Sequence, residues 1–157
     1  MTVVLYRIDD RLIHGQVVVG WGQRLSAEFI VLVDDAVRAS PWEQELYRMG
    51  MPPHVDMIAA SVSEAIARLP VWDDDQRVGI VVAGEIPAFA ALAAASPRVK
   101  RINVGGIHHR PGRTERLRYV FLNDAEAEQL KQLAARGVEI TAQDVPTARP
   151  VPLAEFV

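Results

Sequence analysis

The chain has 157 residues, half of them hydrophobic and 24% charged, which suits one folded domain with a sizeable core and excludes a disordered segment. Lys and Arg number 17 against 20 Asp and Glu, and a net charge of −3 argues against gripping nucleic acid through its backbone. The absence of cysteine excludes disulfide frameworks, zinc–thiolate sites and thiol nucleophiles together.

Residues 1–7 lack the basic start and long apolar stretch of a signal peptide. Val3–Tyr6 predicts a first strand, ending at the polar run Asp9-Asp10-Arg11. Gln16–Leu25 is a weak helix candidate, because Gly20 and Gly22 disfavour helix. Phe29–Val33 and Ile80–Ala83 are unbroken apolar runs, the pattern of parallel strands covered on both faces. Ser40-Pro41-Trp42-Glu43 opens a helix that Gly50, Pro52 and Pro53 stop. After a short strand at Val55–Ile58, Ser61-Val62-Ser63-Glu64 is a second capping box, with Val62, Ile66 and Leu69 as its apolar stripe and Pro70 as its expected end. Residues 78–96 come nearest to a membrane span, but Gly84, Glu85 and Pro87 break the run into a strand, a turn and the Ala-rich helix Ile86–Ala95. Arg101–Val104, Tyr119–Leu122 and Val138–Thr141 predict further strands, and Asn123-Asp124-Ala125-Glu126 opens a helix terminated by Gly137. Residues 145–157, with three prolines, read as an extended tail along the domain. Strands alternating with helices predict an α/β fold: a single domain, residues 1–157, with an open, mainly parallel β-sheet and helices on both faces.

Ligands of such sheets sit beyond the carboxyl ends of the strands. Those ends carry Asp9 to Gln16, Asp34-Asp35, Gly84-Glu85, and Gly105-Gly106 followed by a loop from Ile107 to Thr114. The first loop, Arg7-Ile8-Asp9-Asp10-Arg11-Leu12-Ile13-His14-Gly15-Gln16, is the most informative. A loop histidine with two acids and an arginine close by suits nucleophilic attack on phosphorus. It attacks as neutral imidazole, and its second ring nitrogen needs an acceptor, Asp9 or Asp10, to fix the tautomer and offset the positive charge that develops. The planar fork of Arg11 suits phosphoryl oxygens, and backbone N–H groups from Gly15 onward, at a helix start, add fixed positive ends.

The run Arg7-Ile-Asp-Asp-Arg-Leu-Ile-His-Gly-Gln-Val17 resembles the signature of the sorbose/mannose-type IIB components of the bacterial phosphoenolpyruvate-dependent sugar phosphotransferase system (PTS). Similarity continues through Val33-Asp34-Asp35, Pro52-Pro53, Asn103-Val104-Gly105-Gly106 and Arg136-Gly137-Val138-Glu139. The resemblance implies that His14 is phosphorylated by a phosphohistidine on a IIA protein and passes the group to a sugar held by membrane IIC and IID subunits. It also implies a phosphotransferase at the cytoplasmic face of the membrane complex. Arg11 matches the family's phosphate-binding arginine and Asp9 the acid that orients the histidine. Asp10, Gly15, Gln16, Gly105 and Gly106 are expected to line the same edge. Val17-Val18-Val19-Gly20-Trp21 and His108-His109 are less typical of the family. The chain opens directly on its first strand, so no IIA domain is expected ahead of it. No cofactor or metal is expected, since transfer between two histidines needs alignment and charge stabilisation.

Other residues have plainer readings. His54 reads as an exposed turn residue, Asp73-Asp74-Asp75 as a solvated turn on the edge opposite the site, and Asp34-Asp35 as a helix approach or site border. His108-His109 read as loop filler or partner contact, Arg110 and Arg113 as a solvated loop or a dock for an acidic partner or phosphate, and Trp21 and Trp42 as packing or interface residues. The apolar Val17–Trp21 face leaves a homodimer open. A receiver-like Mg²⁺ site would need an aspartate ending the third strand and a lysine ending the fifth, where the chain has Ala59-Ala60-Ser61 and Val104-Gly105-Gly106. A nicotinamide enzyme would need a G-x-G-x-x-G after a strand, and none is present. A phosphorylation-dependent regulatory module of the same fold, without sugar transport, is the remaining alternative.

Overall fold

A computed structural model describes residues 2–157. Its main sheet has seven strands: β1 (Val3–Asp9), β2 (Phe29–Val33), β3 (Asp56–Ala60), β4 (Gly79–Ala83), β5 (Arg101–Gly106), β8 (Glu139–Ala142) and β9 (Val151–Pro152). They lie in the order β3-β2-β4-β1-β5-β8-β9, all parallel except β9, which runs antiparallel to β8. The unbroken apolar runs follow from burial on both faces. Phe29, Val31 and Val33 enter one core, while Ile30 and Leu32 enter the other. Helices α4 (Val62–Asp73), α5 (Ile86–Ala95) and α6 (Asp124–Ala135) cover the first face. The segment Gln16–Leu25 and α2 (Asp35–Arg38) pack on the second face, over β1 to β4, with α3 (Pro41–Met49) beside them. Leu69, Phe89, Leu92 and Leu130 are fully buried on the first face, each worth about 1.5–3 kcal/mol of transfer free energy. On β5 and β8 the second face is polar, with Arg101 and Glu139 ion-paired in the open.

The first strand runs three residues further than the polarity of Asp9 suggested. Arg7 and Asp9 stay in the strand because they are buried together as an ion pair. Gln16–Gly22 is a π-helix that turns into a single α-turn, α1, at Gln23–Leu25. Pro70 does not end α4. It withholds one N–H from the ladder, but burial of Leu69 and Trp72 holds the last turn, and Asp74 N donates back to Pro70 O at 3.0 Å. Asp73 is likewise no solvated residue. It is 1% exposed, accepts from Val3 N, and is ion-paired to Arg98 at 2.9 Å, pinning α4 to the start of β1.

Two regions after β5 also differ from expectation. Gly105 and Gly106 belong to the strand and are buried, and the following loop is shorter than predicted because β6 (Thr114–Leu117) begins at Thr114. The predicted Tyr119–Leu122 strand is β7 (Val120–Leu122), which pairs antiparallel with β6 in a separate hairpin and touches the main sheet through an isolated Ile107–Val120 bridge. The tail from residue 145 forms β9 and a 3₁₀ turn at Leu153–Glu155, and Phe156 is buried in the core. Among the described residues, no helix is long and apolar enough to cross a membrane.

Candidate phosphoryl-transfer site

At the carboxyl end of β1 the chain leaves the sheet through a tight turn in which Leu12 N donates to Asp9 O at 2.9 Å. Leu12 has φ 61°, a left-handed conformation that costs a leucine about 1–2 kcal/mol and is held by burial of its side chain. The turn carries His14 back over Asp9. His14 Nε2 lies 2.9 Å from Asp9 Oδ2, with the ring 17% exposed and the carboxylate fully buried. Nδ1 accepts from the backbone N–H of Gln16 at 3.4 Å, where the π-helix starts. His14 O accepts from Val18 N at 2.9 Å, which fixes the loop to the first turn.

Asp9 is held from several sides. Its Oδ1 accepts from Arg11 N at 3.2 Å and lies 3.7 Å from Arg11 Nε, while Oδ2 also faces an Arg7 guanidinium nitrogen at 3.3 Å. Burial alone would push the carboxyl up. The His14 hydrogen bond, the Arg7 charge and the Arg11 backbone N–H outweigh burial and hold it below the ordinary aspartate range. Arg11 is half-exposed at the rim and donates to Gln16 Oε1 at 2.6 Å.

Asp10 faces the other way. Its carboxylate accepts from the backbone N–H of His108 and is bonded to the His108 ring through Nδ1. The loop after β5 is secured further by Arg113, which grips Glu126 at 2.6 and 2.9 Å and donates to His108 O. The two glycines of β5 leave room beneath the site. A Cβ on Gly105 would stand 1.9 Å from Arg7 Cζ, and one on Gly106 would stand 3.3 Å from Asp9 Oδ1. Gly15 is exposed with open space around it.

The family model described as PTS system sorbose subfamily IIB component matches residues 3–157. The chain belongs to that IIB family. Among its relatives, the N-acetylgalactosamine-specific phosphotransferase enzyme IIB component 2 of Escherichia coli (strain K12) is 32% identical over 152 residues, 96% of each chain. The PTS system mannose-specific EIIAB component of the same organism is 31% identical over 150 residues, 94% of this chain but 46% of that protein. In three dimensions the IIB domain of the sorbose permease from Klebsiella pneumoniae superposes with a TM-score of 0.89 at 26% identity, covering 99% of this chain and 96% of that one.

In this IIB component the first loop thus gathers Asp9, Arg11, His14 and Gln16 around one imidazole, with Gly106 behind Asp9. It places Asp10 with His108 instead. His54 is exposed, and Asp34 and Asp35 cap the α2 and α4 N-termini through Val37 N and Val62 N. Trp21 is buried, whereas Trp42 is 71% exposed. The sequence reading assigned nothing to Arg7, which is fully buried beneath the site. Its period-two spacing from Asp9 on an apolar strand was the available signal.

Proposed function

We propose that this chain carries a phosphoryl group on His14, taking it from a phosphohistidine on a IIA protein and passing it to a sugar bound by membrane IIC and IID subunits. The observation that carries the reading is the His14 ring in a chain of this family: one nitrogen is held by a buried carboxylate, the other is turned to a backbone N–H beside Arg11. With Nε2–H donated to Asp9, the lone pair sits on Nδ1 and attacks phosphorus in line. The bond from phosphorus to the donor nitrogen breaks, its electron pair returning to the donor imidazole, as the bond to Nδ1 forms. The His14 ring then bears positive charge, which Asp9 offsets without taking the proton. Gln16 N–H and the Arg11 guanidinium supply donors for the phosphoryl oxygens. In the second transfer a sugar hydroxyl attacks phosphorus and releases its proton to a base beside the sugar or to solvent, the phosphorus–Nδ1 bond breaks, and its electron pair returns to the ring. A IIA partner is supported by the relation to a mannose-specific EIIAB component. The working place implied is the cytoplasmic face of the membrane.

The test supplies phosphoenolpyruvate, enzyme I, the phosphocarrier protein and a cognate IIA. Acid-labile, alkali-stable label is expected on the wild type and absent from His14→Ala. Label that survives this substitution unchanged overturns the assignment.

A further inference from the structure

We propose that Arg7 is a positioning residue of the transfer site, acting through Asp9 to keep the His14 imidazole uncharged and aligned for attack; the proposal rests on His14 being the phosphorylated residue. Arg7 heads the fully buried large side chains, with 0% exposure in the middle of the sheet. Burying a guanidinium carries a heavy desolvation cost, and replacing a buried ion pair as a whole by apolar side chains of similar volume is often neutral or stabilising. The fold nevertheless makes a place for it. Gly105 vacates the space of a side chain, and Asn103 Oδ1, Gln143 O, Asp144 O and Asp9 Oδ2 accept from the two terminal nitrogens. The Trp21 ring lies 5.1 Å from Cζ, its own N–H donating to the same Asp144 carbonyl at 3.1 Å. The guanidinium is therefore fixed by the strand next door, the loop after β8 and the π-helix together.

Among the described residues its one ionic partner is Asp9, at 3.3 Å, on the same oxygen that meets His14 Nε2. A carboxylate facing an imidazole favours the imidazolium, which has no lone pair to attack with. A cation against that oxygen opposes this bias while leaving enough negative charge to support the ring as the phosphorus–nitrogen bond forms. Burial lowers Arg7 from its ordinary value, and the neighbouring charges of Asp9 and Asp144 oppose that fall. The other charged groups facing the pair are Arg11, 3.7 Å from Asp9 Oδ1, and Asp144, whose carboxylate lies 3.7 Å from Arg118; Asp10 is turned to His108.

The experiment measures the initial rate of phosphoryl acceptance from phosphorylated IIA between pH 5.5 and 9, with folding checked by circular dichroism. For Arg7→Met the acid limb of the profile is expected to move up by about one pH unit, so that acceptance at the acid end falls about tenfold while the rate at pH 9 stays within about threefold of wild type. Arg7→Lys keeps the charge and loses the fork, and is expected to hold the limb in place with the rate at pH 9 likewise within about threefold of wild type. Should Arg7→Met fail to fold, Gly105→Ala replaces it. The new methyl displaces the guanidinium without touching His14 and is expected to move the limb in the same direction. A wild-type limb in folded Arg7→Met or in Gly105→Ala overturns the proposal, as does a uniform fall at every pH. Failure of the underlying reading would be recognised separately, by wild-type label that does not reside on His14.

Discussion

His14 and Asp9 are joined at 2.9 Å through Nε2 and Oδ2, which leaves Nδ1 as the ring nitrogen with a lone pair directed out of the contact. The modified atom is therefore expected to be Nδ1. Nitrogen-15 and phosphorus-31 NMR of the phosphorylated chain checks this directly, and a phosphorus coupling to Nε2 would contradict it.

Asp9 is expected to separate stability from transfer. Asp9→Ala leaves Arg7 buried without its counter-ion, a loss of about 3–5 kcal/mol. Asp9→Asn keeps the shape and costs less, but it no longer offsets the charge on the ring, and acceptance should fall by about 10²–10⁴-fold. Denaturant melts and acceptance rates on the two variants distinguish these outcomes.

Acid should weaken the fold through the same carboxyl. Because Asp9 is held below its unfolded value, its contribution is fully present above about pH 4 and is lost as pH falls through the folded value. Glu126, held down by Arg113 and the Asn123 N–H against its own burial, works in the same direction. Unfolding free energy measured from pH 5 to 2 should decline, and Asp9→Asn should decline less steeply than wild type.

Arg11 is exposed enough for its substitution to spare the fold. Arg11→Lys keeps the charge and loses the planar fork that now reaches both Gln16 and Asp9. Acceptance should slow by about tenfold or more, the worth of one hydrogen bond to a charged group, with the melting temperature unchanged. Rates equal to wild type would show that Arg11 does not clamp the phosphoryl group.

Far from the site, Gly79 is pressed against Phe29: a Cβ there would stand 2.1 Å from the ring's Cζ, and the ring is fully buried. Gly79→Ala should cost about 1–3 kcal/mol by overpacking, read as a lower denaturation midpoint with transfer chemistry intact.

The apolar strands and capped helices were legible in the sequence because each obeys a local rule. Phe29–Val33 has no polar break, and Ser61 and Asn123 each sit three residues before a glutamate that bonds back to them. What escaped depended on partners distant in the chain. Arg7 looks like a loop residue until Asn103, Gln143 and Asp144 arrive to accept from its two terminal nitrogens, and Asp9 does so until Arg7 and His14 close on it. Asp73 looks solvated until Arg98 and the start of β1 close over it. Gly105 and Gly106 look like a turn because the bulk they accommodate belongs to another strand. In the candidate site the residue types were readable from the first loop, but the choice between Asp9 and Asp10 as neighbour of His14 was not. It turns on which side of the strand end each carboxylate leaves, and His108, ninety-eight residues on from Asp10, occupies one of them.

The short antiparallel pairing of Val151–Pro152 with β8, anchored by buried Phe156, shields what would otherwise be a bare rim of amides. Proline on that strap offers no amide hydrogen of its own, so a passing strand finds little to zip onto. A shortened chain lacking those last residues would be sticky in solution, copies adding edge to edge even though the loop bearing His14 stayed whole.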